Sequence, residues 1–108
     1  MYDKDNVFAK IIRGEIPCKK VAESEHALAF WDLQPRTRVH VLVIPKGGYE
    51  NIVDFTARAP MAEQADFWNL LRRAASDLGV VKDFGLRVNT GPKAGQTVPH
   101  FHMHILSD

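Results

Sequence analysis

The chain has 108 residues, 45% of them hydrophobic and 25% charged, with 14 Lys and Arg against 13 Asp and Glu for a net charge of +1. That length fits one domain, residues 1–108, large enough to fold without disulfide staples, which the lone Cys18 could not form internally anyway. The balance excludes a broad basic field for nucleic acid, no apolar run reaches the roughly 18 residues of a membrane helix, and the single cysteine with a polar Met1–Asp5 start points to the cytoplasm.

In chain order, Val7–Arg13 reads as a short helix, with Asp5 or Asn6 as its cap and Gly14 as its stop. Pro17 forces an extended connection. Lys20–Glu23 and Ala27–Asp32 read as strands joined by a polar hairpin turn that contains His26. Leu33–Arg36 is a loop. Val39–Ile44 is the best strand by composition, and Pro45-Lys46-Gly47-Gly48 stops it. Asn51–Phe55 has room for one helical turn.

The one long helix is expected at about Pro60–Leu78. Met61, Ala65, Trp68, Leu71, Ala75 and Leu78 recur at helical spacing, and Phe67, Leu70 and Ala74 add a second apolar stripe. So wide an apolar face serves the core alone or also another subunit. Phe84–Asn89 reads as a strand, Thr90–Gly95 as a tight loop, and Val98–Leu106 as the last strand. Short connections between these elements predict an α+β fold: a five-stranded, mainly antiparallel sheet with one long and one short helix, both on one side of it.

Three of the five histidines stand in His100-Phe101-His102-Met103-His104. On a strand, side chains alternate faces, so His100, His102 and His104 share one face, roughly 6–7 Å apart, and Phe101, Met103 and Ile105 share the other. Such a row suits metal binding, nucleophilic catalysis or a pH-responsive surface. The preceding Gly91-Pro-Lys-Ala-Gly95-Gln96-Thr97 separates these options. Its glycines let backbone approach a ligand closely, and Gln96, Thr97 and the loop N–H groups can donate to phosphate oxygens. Donors beside imidazoles fit an anionic substrate better than a divalent metal.

The run His100-Phe-His-Met-His-Ile-Leu106 resembles the signature of the histidine triad (HIT) superfamily. Phe8–Pro17, Ala27–Leu33, His40–Lys46 and Asn89–His100 resemble its other motifs, so the similarity covers nearly the whole chain. The resemblance implies a homodimer whose sheets join into one, with nucleotidyl transfer or hydrolysis at an α-phosphate. His102 would be the nucleophile and His100 would orient it through its backbone carbonyl. His104 and His40 would line the phosphate site. Gln96, Thr97, Gly95 and Asn89 would serve the phosphate, leaving group and ribose, Asp32 the ribose hydroxyls, and Phe30, Trp31 and Leu33 the base. Without the resemblance, Asp32 would read as a turn cap and His40 as a histidine beside a buried strand.

Many bacterial relatives hold zinc through N-terminal cysteines and a histidine after Pro-Lys. Here Val7 and Ala9 flank Phe8 where the cysteines are expected, and Gly48-Tyr49 replaces the histidine, so no metal and no cofactor are expected. The chain also ends at Asp108, where relatives of the HINT branch carry a tail. The expected function is hydrolysis of purine nucleoside phosphoramidates of AMP or GMP type. A dinucleoside polyphosphate hydrolase is the alternative enzyme. A nucleotide-binding regulatory module is the alternative of another class. No nucleic acid or membrane partner is expected.

Overall fold

A computed structural model describes all 108 residues. Helix α1 spans Val7–Ile12, and the Asn6 side chain caps it by accepting from the Ala9 N–H at 2.9 Å. Strands β1 (Lys20–Glu23), β2 (Ala27–Trp31) and β3 (Val39–Pro45) follow, then helices α2 (Ile52–Arg58) and α3 (Met61–Asp77). Strand β4 (Gly85–Arg87), a single 3₁₀ turn at Pro92–Ala94 and strand β5 (Met103–Ser107) complete the chain. No helix is long and apolar enough to cross a membrane.

The five strands form one antiparallel sheet in the order β1-β2-β3-β5-β4. The sheet is covered on both faces, which is why β2 and β3 read as nearly continuous apolar runs. Ala27, Ala29, Val39, Val41, Val43, Met103 and Ile105 join the core beneath α3. Their neighbours Leu28, Phe30, Leu42 and Ile44 pack with Phe8 of α1 on the opposite face. His40 lies between Val39 and Val41 on β3 and so shares the α1 side.

Helix α3 buries Phe67, Leu70, Leu71, Ala74 and Ala75 against the sheet. Phe67 meets Phe55 of α2 and Phe101 with ring centroids 5.3 and 5.1 Å apart, and Phe67→Ala would cost about 3–5 kcal/mol through the cavity it leaves. The stripe of Phe67, Leu70 and Ala74 is wholly buried, whereas the Met61 stripe divides: Leu71 and Ala75 are buried, but Met61 is 76% exposed and Trp68 is 43% exposed. Asp66, on the edge of α3, accepts from the Ser24 hydroxyl at 2.6 Å and the His26 N–H at 2.9 Å, tying the β1–β2 turn to the helix.

Three expectations need correction. The helices do not share one side, because β2 and β3 are apolar on both faces and α1 covers the face opposite α3. There are two short helices rather than one, because Asn51 caps α2 by accepting from the Asp54 N–H and the helix then runs seven residues to Arg58. The last strand begins at Met103, not Val98. Val43 pairs with Met103, so two further residues of register would set Pro45 opposite Phe101, and proline has no N–H for the ladder. The Phe101 N–H goes instead to the Tyr49 carbonyl at 2.7 Å.

Candidate active site

Where the α1 side of the sheet meets the loop before β5, a cleft of about 440 Å³ opens. His102 and His104 reach it from the last segment and His40 from β3. His40 and His104 sit across the β3–β5 ladder two residues out of register and so on the same face, since His40 pairs with Leu106 and Leu42 with His104. Ring centroids are 5.2 Å apart for His102 and His104, and 5.1 Å for His40 and His104. His102 lies just ahead of the first ladder residue, so the sheet does not hold it directly. Phe8 packs edge-on against its ring at 4.9 Å, and its Nδ1 lies 2.7 Å from the His100 carbonyl.

The ring tautomers follow from these partners. A carbonyl only accepts, so Nδ1 of His102 carries the proton. Nε2 of His102 then holds a lone pair, has no partner within the chain, and is open to the cleft. The Arg36 N–H donates to His40 Nδ1 at 3.1 Å, so neutral His40 carries its proton on Nε2 and gives it to His104 Nδ1 at 2.8 Å. His104 is left with an Nε2–H. The cleft therefore presents a free imidazole lone pair beside an imidazole N–H donor. Burial pushes His102 and His40 below the usual histidine range, and burial with the neighbouring imidazoles takes His104 down to about 4. The rings are neutral near pH 7, as a nitrogen nucleophile requires.

Asp32 directly follows β2 and presents two oxygens with different partners. Oδ1 accepts from the Gln34 N–H at 2.7 Å, the turn cap that its sequence position suggests, and Oδ2 lies 3.5 Å from His40 Nε2 at the cleft. Asp32, His40 and His104 form the one group of potential metal ligands, with donor atoms within 4.8 Å. The tautomers do not suit a divalent ion. His40 Nδ1 is held by a backbone N–H, so Nε2 could take a metal only as imidazolate or after that bond broke.

Of the other residues expected at the site, Phe30, Trp31, Leu33, Asn89, Gly95 and Thr97 line the cleft. Gly95 has φ +97°, and a Cβ there would stand 3.2 Å from the Asn89 amide, so the loop needs glycine for both reasons. Two do not reach the cleft. His100 is fully buried behind His102. Gln96 is spent inside the loop: its Oε1 accepts from the Gly91 N–H at 2.8 Å, and its Nε2 donates to the carbonyls of Glu50 at 2.6 Å and Val98 at 3.0 Å.

Sequence reasoning missed the apolar end of the cleft, where Phe8, Ile11, Cys18, Leu42 and Val98 join Phe30. Leu42 was readable, since it lies two residues from His40 on the same strand face. It also missed Arg36 and Arg87, which line the mouth and have no carboxylate partner within 4 Å. Arg87 pairs with His104 across β4–β5, a register that no local pattern encodes.

The chain matches the HIT domain family over residues 13–108. A HIT-like protein of Azospirillum brasilense is 50% identical over 108 residues, which span 98% of this chain and 88% of that one. Among solved structures, a HIT family hydrolase from Clostridium thermocellum aligns with TM-score 0.89 and 36% identity, covering 98% of this chain and 92% of its own. A histidine triad nucleotide-binding protein from Candida albicans aligns with TM-score 0.83 and 29% identity, over 94% and 73% of the two chains.

Proposed function

The chain belongs to the HIT family, and from that premise we propose that it hydrolyses nucleoside phosphoramidates of the AMP or GMP type through a nucleotidyl group carried on His102. The observation that carries the reading is the His102 ring itself, with Nδ1–H held by a carbonyl at 2.7 Å and Nε2 open to the cleft. Nε2 attacks the α-phosphorus, a P–N bond forms, and the substrate's P–N bond breaks. His104 Nε2–H donates toward the departing nitrogen. The amine takes up one proton as it leaves, and the attacking water of the second step releases one, so the two steps balance. Names of similar proteins, a hydrolase and a nucleotide-binding protein, support the class.

In this reading the apolar end of the cleft takes the purine between Phe30, Trp31 and Leu33. Asp32 accepts from the ribose hydroxyls. Asn89, Gly95 and Thr97 approach the phosphate, and Gln96 acts by shaping their loop. Two chains join through β4, an edge strand exposed along its whole length.

One observation favours a second reading. Arg36 and Arg87 offer unpaired positive charge at the mouth, which suits the polyphosphate leaving group of a dinucleoside polyphosphate. Turnover of an adenosine phosphoramidate and of a diadenosine polyphosphate, measured side by side, decides between them, with AMP binding as the control. Faster phosphoramidate cleavage supports the first reading. Faster polyphosphate cleavage supports the second. AMP binding without turnover of either points to a regulatory module.

A further inference from the structure

Behind the cleft, His100 is fully buried, yet both its ring nitrogens are engaged. Nε2 lies 2.7 Å from the Pro45 carbonyl, which can only accept, so Nε2 carries the ring proton. Nδ1 therefore bears a lone pair, and the Tyr2 hydroxyl donates to it at 2.5 Å. That bond joins residues 98 positions apart. The Tyr2 ring also meets the His100 ring edge-on at 5.6 Å.

The seat of Tyr2 is built by a second residue. A Cβ on Gly48 would stand 3.0 and 3.1 Å from Cδ2 and Cε2 of the Tyr2 ring, so only glycine leaves the ring its place without displacement. Phe8 closes the remaining side, edge-on to both His100 at 6.2 Å and His102 at 4.9 Å. Within this enclosure the His100 carbonyl is the acceptor that holds the His102 Nδ1–H.

We propose that Tyr2 is a positioning residue for His102: its hydroxyl, seated by Gly48, fixes His100 so that the His100 carbonyl holds the reactive tautomer of the neighbouring ring. The role in catalysis rests on the function proposed above. The control of the tautomer does not. With the hydroxyl gone, the buried His100 Nδ1 has lost its one donor, and the residue is free to tilt toward another partner. The aim of its carbonyl then changes, and with it the preference of His102 for Nδ1–H.

Tyr2→Phe keeps the ring and removes only the hydroxyl. Two readouts separate positioning from mere support: ¹⁵N imidazole shifts of His102, and kcat against KM. The parent shows His102 as a single Nδ1–H tautomer, and Tyr2→Phe moves it toward a mixture. kcat falls about tenfold while KM stays within about twofold. Gly48→Ala, which displaces the ring, reproduces both changes, and the double variant adds little to either. An unchanged His102 tautomer in Tyr2→Phe overturns the proposal whatever the activity does. A shifted tautomer with no turnover in the parent leaves it standing and overturns the hydrolase reading instead.

Discussion

Nδ1 of His102 lies 2.7 Å from the carbonyl oxygen of His100, two residues earlier in the chain. This one bond assigns the proton of a ring whose other nitrogen opens into the cleft. It forms where residues 100–102, opposite Pro45 and beyond, have left the ladder. A regular antiparallel strand would direct the His100 carbonyl to a neighbouring strand or to solvent, and here it turns to a side chain. The same local departure places the Phe101 N–H on Tyr49 and sinks the His100 ring beneath the site.

Activity is expected to survive excess chelator. Both nitrogens of His40 are committed, one to the Arg36 N–H and one to His104, so the group nearest to a metal site keeps its proton. The check is turnover after prolonged EDTA treatment. Loss of activity that added zinc restores would transfer the chemistry to metal-activated water.

Asp32→Ala is expected to narrow the preference for ribose over deoxyribose substrates. Oδ2 is the oxygen left for the sugar, and a charged acceptor without its donors costs on the order of 1–3 kcal/mol. Paired kinetics on ribo and deoxyribo substrates give the ratio. An unchanged ratio means that Asp32 serves its turn alone.

Stability is expected to fall between pH 6.5 and 4. Burial takes His100 down to about 4 from an ordinary 6.5, and His104 likewise. Across that window the unfolded chain binds protons that the folded chain refuses, so stability is fully present above 6.5 and the loss is complete near 4. For His100 alone the span amounts to about 3 kcal/mol. Urea midpoints at pH 7.5 and 5 measure it, and equal midpoints would contradict the neutral burial of these rings.

The protein is expected to be a dimer of about twice its 12.2 kDa chain mass. Leu86→Lys, in the middle of exposed β4, is expected to weaken it. Light scattering over micromolar concentrations reads both. A parent that remains at the single-chain mass removes the claim.

Much of this was legible in the sequence because periodicity encodes faces. Phe101, Met103 and Ile105 entered the core and His102 and His104 the opposite side, as alternation requires. Asn6 capped α1, and the long helix ended within one residue of its expected bounds at each end. Other features are set by partners far along the chain. Periodicity cannot decide how far two adjacent stripes extend over a sheet, so Met61 and Trp68 read as part of a wide buried face that in fact stops short of them. The late start of β5 depends on Pro45 across the sheet. Gln96 reads as a phosphate donor, but its amide is bonded to the carbonyl of Glu50, 46 residues away. Tyr2 carried no signal at all, since its partner lies 98 residues away.

The most direct test of the account is the mass of the protein during turnover. Rapid quench with an adenosine phosphoramidate is expected to trap protein heavier by one adenylyl group, acid-labile and mapping to His102, with configuration at phosphorus retained through two displacements. His102→Ala should lose both adduct and turnover and still bind AMP. An adduct on His104, or inversion at phosphorus, would contradict the assignment.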